Sequence, residues 1–240
     1  MKAVVVLSGG QDSALCLALA VRRYGAGQVA AITFAYGQRH AVETKFARRL
    51  ARHFGVAAHK VVNLGFYKDI TTNALLDPSQ KISRAKRPLS TSTSSLDLIP
   101  PNTVVEGRNA FFLTAAAVWA KSLGATVLYT GVSQADYSGY PDCRAVFIRA
   151  QQRALRLALD WPIKIETPFM KMTKADEWAL AAELDVFELI RDETVTCYNG
   201  VPGAGCGRCP ACRLRNRGLR EFLKARHDPA LRGCGSSRGR

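Results

Sequence analysis

Short apolar runs alternate with segments of helical length along most of the chain. The run at residues 3–7 is continuous and rich in valine, which is typical of a strand buried on both faces. From Val42 to Phe54, apolar side chains recur every fourth position, as on one face of a helix. The predicted strands are residues 3–7, 29–34, 59–62, 126–130 and 163–166, and the predicted helices are residues 14–21, 41–54, 109–122, 144–159 and 174–184. Strands separated by helices predict a parallel sheet covered on both faces, which defines the α/β class.

Residues 65–107 interrupt this alternation with a basic stretch that ends in a serine- and threonine-rich run. A connection this long inside a compact domain is usually a lid, a binding loop or disordered. We interpret it as a lid-like loop beside the functional site, with disorder as the alternative. We therefore predict a main domain over residues 1–190, a small subdomain over residues 191–225 and a basic flexible tail over residues 226–240.

A glycine-containing motif, SGGQDS at residues 8–13, lies between the first predicted strand and the first predicted helix. Its loop would present backbone amides, two hydroxyls and a helix N-terminus to one point, an arrangement that binds phosphate. Gly9 and Gly10 would let the backbone bend sharply and approach the ligand closely. The spacing of a Walker A motif is absent and no lysine follows, so this class of phosphate loop is excluded.

Two adjacent glycines alone would more often form an ordinary turn between a strand and a helix. The complete motif resembles the PP-loop of the N-type ATP pyrophosphatases, which implies that it grips the pyrophosphate of ATP while a substrate oxygen is adenylated. Asp12 and Ser13 are predicted to act in catalysis together with Lys174, for which an exposed lysine at a helix start is the alternative. The residues that the resemblance assigns to ATP are Ser8, Gly9, Gly10, Gln11, Asp12 and Ser13.

Four of the seven cysteines are close together in the sequence, with the spacing C-x8-C-x2-C-x2-C. They are Cys197, Cys206, Cys209 and Cys212. Four thiolates form the donor set of a closed tetrahedral zinc site, which would be structural because no coordination position remains open. Free buried cysteines are one alternative, and an iron–sulfur cluster is another, since C-x2-C-x2-C also occurs in ferredoxins. The pattern favours zinc.

Polar and aromatic side chains follow the second and fourth predicted strands and open the helix at residues 109–122. Parallel sheets bind their ligands beyond the carboxyl ends of the strands, so these side chains could bind a purine-like heterocycle. For the stretch before Arg144, a turn that caps the following helix is the alternative. The candidate substrate-binding residues are Tyr36, Gln38, Arg108, Asn109, Asp136, Tyr137, Tyr140 and Asp142.

The formal net charge is +15, from 34 lysines and arginines against 19 aspartates and glutamates. Residues 213–240 hold nine basic and two acidic side chains, and therefore +7 of this excess. Such a segment can bind nucleic acid, but it carries no RNA-binding motif, so we favour a solvated helix and a flexible tail. We expect a cytoplasmic protein without direct nucleic-acid binding or membrane contact, because no signal peptide and no apolar run of about 20 residues is visible.

The chain resembles the QueC family of the queuosine pathway in the ordered motifs SGGQDS, AYGQRH, GRN, DYSGYPDCR, TPFMKMTK, TCYNG and CGRCPACRLR, which span residues 8–215. The resemblance implies a Rossmann-like parallel sheet of the adenine nucleotide α-hydrolase type with a small C-terminal zinc-binding subdomain. It implies that 7-carboxy-7-deazaguanine and ammonia become 7-cyano-7-deazaguanine through an acyl-adenylate and an amide, with ATP and Mg²⁺ as cofactors. It also implies a homodimer, and that the DYSGYPD loop with Arg108 and Asn109 holds the deazaguanine.

One position departs from the pattern of this family. Glu106 stands where relatives usually have a proline, which adds a charge and an N–H and removes a fixed φ. The first alternative to nitrile formation is therefore a QueC-like ligase that couples the adenylated substrate to a protein amine. The second, from a different class, is an RNA-binding zinc module that uses the basic C-terminus. ATP-dependent release of pyrophosphate would exclude this module.

Overall fold

The computed structural model describes residues 1–37, 42–71, 73–77, 79–80, 102–134 and 140–227, with the backbone alone for Lys68 and His227. The strands are β1 (Ala3–Val6), β2 (Val29–Ala35), β3 (Ala58–Asn63), β4 (Val127–Tyr129) and β5 (Lys164–Glu166). The helices are α1 (Gln11–Tyr24), α2 (Val42–His53), α3 (Tyr67–Ile70), α4 (Arg108–Ser122), α5 (Ala145–Leu159), α6 (Lys174–Glu183), α7 (Phe187–Asp192) and α8 (Pro210–His227). Short 3-10 turns cover Ala26–Gln28 and Pro141–Cys143.

The five strands form one sheet in the order β3–β2–β1–β4–β5, and every pairing is parallel. The chain starts in the middle of the sheet, builds one side with β2 and β3, and then builds the other side with β4 and β5. The direction of building therefore reverses between β1 and β4. In open parallel sheets, ligands bind beyond the carboxyl ends of the strands at such a reversal.

Each face of the sheet buries its own hydrophobic cluster. Val4 belongs to the cluster that contains Leu113 of α4 and Ile148 of α5. The neighbouring Val5 belongs to the cluster that contains Trp178 of α6 and buried residues of α1, α2 and α7. This alternation follows from the period of a strand, in which successive side chains point to opposite faces. The predicted α/β class, with a parallel sheet and helices on both faces, is confirmed.

The C-terminal helix is more than the solvated helix that the basic sequence predicts. Leu219 and Phe222 of α8 pack against the core. Gly218 approaches α6 so closely that a Cβ on it would lie 2.4 Å from the Cβ of Lys174. The helix therefore packs onto the domain through its apolar face, while its basic side chains other than Arg215 are exposed among the described residues. Residues 228–240 lie outside the described residues. The sequence pattern does not predict α7, which is also part of this packing.

The described parts of segment 65–107 also pack against the core. Tyr67, Leu75, Leu76 and Val105 are buried in the cluster beneath α4 and α5. Residues 81–101 lie outside the described residues, so the lid stays a prediction for that part. Among the described helices, none combines the length and the apolar character that crossing a bilayer requires.

Candidate active site

The SGGQDS motif forms the turn between β1 and α1, beside the reversal point of the sheet. Ser13 shapes this turn: its Oγ accepts hydrogen bonds from the Ser8 N–H and Oγ, both at 3.1 Å, and donates to the Gly10 carbonyl at 3.0 Å. Gly9 has a φ of +90°, and a Cβ there would lie 2.7 Å from the carbonyl oxygen of Glu43. Glycine is therefore needed at position 9, and the turn leaves the N-terminus of α1 at the carboxyl edge of the sheet.

Lys174, the first residue of α6, reaches the first turn of α1. Its Nζ lies 2.8 Å from Asp12 Oδ2 and 2.7 Å from Glu177 Oε1. Gln11 Nε2 donates a hydrogen bond to the other oxygen of Glu177, Oε2, at 3.2 Å. Glu177 is fully buried, whereas the side chain of Asp12 is 29% exposed. One cation is thus held between a buried carboxylate and a partly exposed carboxylate of the SGGQDS turn.

The electrostatics of this group centre on Glu177. Burial raises the pKa of Glu177 well above its ordinary value, the charge of Asp12 raises it further, and Lys174 lowers it. A buried carboxyl beside a second carboxylate resists ionisation for both reasons. Sequence reasoning misses Glu177, although it lies three residues after Lys174 and therefore on the same side of α6.

A second group of polar side chains surrounds the start of α4. Arg108 Nη1 donates to the Tyr36 hydroxyl at 3.2 Å, and the guanidinium lies 5.5 Å from the centre of the Tyr36 ring. Burial raises the pKa of Tyr36, while Arg108 lowers it. Among the described residues, the buried Arg108 Nε and the buried Tyr67 hydroxyl find no hydrogen-bond partner. Buried donors without partners suit a ligand that brings its own acceptors.

Asp142 is buried and closes the N-terminus of α4. Its Oδ2 accepts a hydrogen bond from the Asn109 N–H at 2.9 Å, and Asn109 Nδ2 donates to the Asp142 carbonyl at 3.4 Å. The alternative interpretation of this stretch predicts a turn that caps the helix near Arg144. In the structure, Asp142 instead caps the N-terminus of α4. Tyr140 joins the same group through its hydroxyl, which lies 2.7 Å from Thr103 Oγ1 and 3.4 Å from the Tyr198 hydroxyl.

Residues 194–198 connect the two groups. The Val195 N–H donates to the Gly9 carbonyl at 2.8 Å. Thr196 Oγ1 accepts a hydrogen bond from the Gln11 N–H at 3.3 Å, and Tyr198 contacts Tyr140. A single stretch of chain therefore touches both the SGGQDS turn and the polar group at α4.

Glu106, the residue that departs from the family pattern, is exposed and lies just before α4. Its Oε2 accepts a hydrogen bond from Thr71 Oγ1 at 2.6 Å. The carboxylate thus joins the start of α4 to the residue that follows α3.

The sulfur atoms of the four clustered cysteines lie within 4.8 Å of one another. The Sγ atoms of Cys209 and Cys212 are 3.3 Å apart, and those of Cys206 and Cys212 are 4.0 Å apart. Ligands bound to one zinc ion at about 2.3 Å would be separated by roughly 3.8 Å, so the donor set fits this metal. Cys206 accepts hydrogen bonds from the Cys209 N–H and from the side chain of Asn199, each at 3.4 Å.

The cysteines differ in their electrostatics: burial raises the pKa values of Cys209 and Cys212, whereas the pKa of Cys206 is lowered. Partial burial alone would raise the pKa of Cys206, but N–H donors from Cys209, Arg208 and Asn199 lower it to about 6. Donors of this kind stabilise the thiolate, which is the form that binds a metal. Gly205 fits only without a side chain, because a Cβ there would lie 2.3 Å from the Sγ of Cys212.

The structure brings Lys174 to the SGGQDS turn and gathers Tyr36, Arg108, Asn109, Tyr140 and Asp142 around the start of α4. Gln38, Asp136 and Tyr137 lie outside the described residues, so their predicted roles stay predictions. The neighbours of these groups that sequence reasoning misses are Thr103, Glu177, Thr196, Tyr198 and Arg215. Thr196 and Tyr198 flank Cys197 in the sequence, and this adjacency is the signal that could have pointed to them.

The parallel sheet and the turn after its first strand define an α/β protein with the PP-loop fold. The family described as "Queuosine biosynthesis protein QueC" matches residues 2–223. Curated relatives from two Bacteroides fragilis strains, each named 7-cyano-7-deazaguanine synthase, are 49% identical over 225 residues, or 94% of this chain and 97% of the relative. The chain belongs to the QueC family, as its motifs predict.

A more distant likeness concerns the fold alone. The structure of NMN synthetase from Francisella tularensis aligns with a TM-score of 0.52 and 16% identity, over 96% of this chain and 79% of that one. The two proteins share a fold despite this low sequence identity, which agrees with the predicted PP-loop architecture.

Proposed function

We propose that this chain converts 7-carboxy-7-deazaguanine and ammonia into 7-cyano-7-deazaguanine and cleaves ATP to AMP and pyrophosphate. The name of the curated relatives supports this substrate class and product. The structural observation that carries the proposal is the contact of Lys174 with Asp12 of the SGGQDS turn. It puts a cation beside the helix N-terminus where an anionic leaving group would develop.

The chemistry requires two activations of the same carbon. The substrate carboxylate attacks the α-phosphorus of ATP, and pyrophosphate leaves. Ammonia then attacks the acyl carbon, AMP leaves, and the nitrogen loses a proton to give the amide. The amide oxygen attacks a second ATP in the same way, and departure of AMP with loss of both N–H protons gives the nitrile. No side-chain nucleophile is needed, so catalysis depends on positioning and on stabilising charge.

ATP would bind through Ser8, Gly9, Gly10, Gln11, Asp12 and Ser13. The backbone N–H groups at the start of α1 would donate hydrogen bonds to the phosphates, and Lys174 would offset the charge of the departing pyrophosphate. Ser13 would act chiefly by holding the shape of the loop, because its hydrogen bonds to other described residues stay within the turn. Mg²⁺ would accompany ATP as a counterion of its phosphates.

The deazaguanine would bind at the start of α4. Arg108 has a donor without a partner among the described residues, and Tyr36 and Tyr140 offer phenols beside it. Asn109 and Asp142 would fix the geometry, since they hold each other at the helix N-terminus. Gln38, Asp136 and Tyr137 are further candidates that follow from the family pattern.

The four cysteines would hold one structural zinc ion. Their number fills a tetrahedral shell, and this leaves no position for a reacting ligand. The division into residues 1–190, 191–225 and 226–240, the homodimer and the cytoplasmic location are proposed from the same family pattern.

The relatives are named as synthases of the cyano compound, which favours ammonia as the nucleophile. A protein amine as the final acceptor is not supported by them. The alternative of an RNA-binding zinc module gives no function to the contact between Lys174 and Asp12 at the SGGQDS turn.

Product analysis tests the proposal. The full chain is incubated with ATP, 7-carboxy-7-deazaguanine and saturating ammonium, and the products are identified by mass spectrometry and nucleotide chromatography. We expect AMP, pyrophosphate and the free nitrile. ADP as the nucleotide product, or a reaction that stops at the amide, would refute the proposed activity.

A further inference from the structure

The Thr196 side chain contacts Gln11, the first residue of α1, and the proposed function gives Thr196 no role. Its Oγ1 accepts one hydrogen bond from the Gln11 N–H at 3.3 Å and another from Arg215 Nη1 at 3.1 Å. A hydroxyl oxygen has two lone pairs and one proton. Both lone pairs are engaged, so the proton of Thr196 must point away from Gln11 and Arg215. Within the part of the chain that the structure describes, no acceptor receives it.

Arg215 holds this hydroxyl in place. It is 2% exposed and donates four hydrogen bonds, to Thr194 Oγ1, Thr196 Oγ1 and the carbonyls of Ile190 and Arg191. Its guanidinium also lies 5.3 Å from the centre of the Trp178 ring. An arginine fixed on so many sides has little rotational freedom, so the group that it contacts is fixed as well.

The backbone beside Thr196 is anchored to the same turn. The Val195 N–H donates to the Gly9 carbonyl at 2.8 Å, and a Cβ on Gly10 would lie 3.4 Å from the carbonyl oxygen of Val195. Thr196 is half-buried, so its hydroxyl keeps access to the edge of the sheet where the amides of α1 begin. An O–H donor at a helix N-terminus adds to the amides there as a ligand for an anion.

We infer that Thr196 is a further phosphate-binding residue of the nucleotide site and that Arg215 is its positioning residue. The inference rests on the proposed binding of ATP at the SGGQDS turn. The Thr196 hydroxyl donates its proton to a phosphate oxygen of ATP or of the departing pyrophosphate. Loss of a hydrogen bond to a charged group weakens binding by roughly tenfold or more.

Three variants at two threonines test this role. Thr196→Val removes the hydroxyl and keeps the shape, and Thr196→Ser retains the hydroxyl. Thr194→Val is the matched control, because it also removes a hydrogen-bond partner of Arg215, while the Thr194 hydroxyl bonds to Ile190 and Arg215 and, among the described residues, makes no hydrogen bond to the turn. Calorimetry with ATP and with pyrophosphate alone measures affinity, and metal analysis and thermal unfolding report the state of the fold. We expect about tenfold weaker binding of both ligands for Thr196→Val, and nearly unchanged binding for Thr196→Ser and Thr194→Val.

A double-variant comparison isolates Arg215. Arg215→Lys weakens ATP binding in the wild-type background, and it adds little in the Thr196→Val background if Arg215 acts through this hydroxyl. Wild-type affinity in a folded, metal-containing Thr196→Val variant overturns the inference and leaves the proposed function intact. Equal losses in Thr194→Val and Thr196→Val also overturn it, since the effect would then be general loosening. Failure of the wild-type chain to bind ATP overturns the proposed function itself.

Discussion

The Nζ atom of Lys174 lies 2.8 Å from Oδ2 of Asp12, across a sequence separation of 162 residues. This contact joins the first turn of α6 to the first turn of α1. Gly131 and Gly218 make it possible, because a Cβ on Gly131 would lie 2.8 Å from the Cβ of Asp12 and one on Gly218 would lie 2.4 Å from that of Lys174. Each residue of the pair is therefore backed by a glycine that has no room for a side chain.

Asp12→Asn should reduce turnover by about 10²–10³-fold, because it removes the charge that, under the proposed function, orients Lys174 toward the phosphates. The fold should persist, since Asp12 is partly exposed and an acidic residue in the first turn contributes only about 0.3–1 kcal/mol to helix stability. Pyrophosphate release and circular dichroism measure the two effects.

Asp176→Asn is the matched control for this prediction. Asp176 lies in the first turn of α6 and accepts hydrogen bonds from Thr173 in a capping box. Its replacement should cost about 1 kcal/mol of stability and leave turnover unchanged. Equal losses of turnover in Asp12→Asn and Asp176→Asn would mean that Asp12 acts only through helix stability.

Glu177→Gln should change how stability depends on pH. Burial and the charge of Asp12 raise the pKa of Glu177 above its ordinary value of 4.5. As the pH rises above 4.5, the unfolded chain loses this proton before the folded chain does, so the wild-type free energy of unfolding falls. It levels off above the folded pKa. Glutamine has no proton to lose at this position, so the variant should lack this fall.

The measurement is the difference in free energy of unfolding between wild type and Glu177→Gln, from urea titrations at several pH values upward from 4.5. This difference should decrease as the pH rises from 4.5 and become constant above the folded pKa of Glu177. Glu188→Gln, on the exposed side of α7, controls for the loss of one carboxylate. A constant difference would show that Glu177 ionises equally in both states and that the pair with Lys174 offsets burial.

The sequence predicts the sheet well because its signals are local. A valine-rich run and a four-residue apolar spacing are properties of neighbouring residues, and β1 and α2 lie where these patterns predict. Glu177, Thr196 and Arg215 acquire their roles only when α6, α8 and the SGGQDS turn meet. Asp142 illustrates the same limit: its turn is visible in the sequence, but the helix that it caps begins 34 positions earlier, at Arg108.

Gly205→Ala should abolish metal binding. A methyl group at this position would lie 2.3 Å from the Sγ of Cys212 and 3.2 Å from the Cβ of Cys197, so two of the proposed ligands would have to move. Because metal binding and folding are coupled in such sites, the variant should also aggregate or unfold at lower temperature. Metal content per chain by plasma emission spectroscopy is the direct measurement.

Gly207→Ala is the control for backbone strain. Gly207 has a φ of +67°, close to the +71° of Gly205, but a Cβ on it would meet nothing within 4 Å. The Gly207→Ala variant should lose only about 1–2 kcal/mol of stability, because alanine is strained in the left-handed conformation, and it should keep its metal. If both variants keep a full complement of zinc, the cluster tolerates displacement of its ligands and the predicted geometry is wrong. Iron in the wild-type protein would instead favour the iron–sulfur alternative.

Glu106→Ala should leave the nitrile as the product. The Glu106 carboxylate is exposed and accepts a hydrogen bond from Thr71 Oγ1 at 2.6 Å, so its visible role is to hold the start of α4 against the end of α3. Thr71→Val removes the same hydrogen bond from the other partner and is the matched variant. Each change should lower the free energy of unfolding by about 0.5–1.5 kcal/mol, the usual contribution of one hydrogen bond.

Mass spectrometry of the reaction with saturating ammonium then distinguishes a structural from a chemical role of Glu106. If the wild type, Glu106→Ala and Thr71→Val all produce the nitrile, the charge at position 106 does not determine which amine accepts the acyl group. Accumulated amide in Glu106→Ala but not in Thr71→Val would instead give the carboxylate a part in the second adenylation, beyond its hydrogen bond to Thr71. Because Arg108 lies only two residues further along the chain, such a result would point to its guanidinium as the group through which the charge acts.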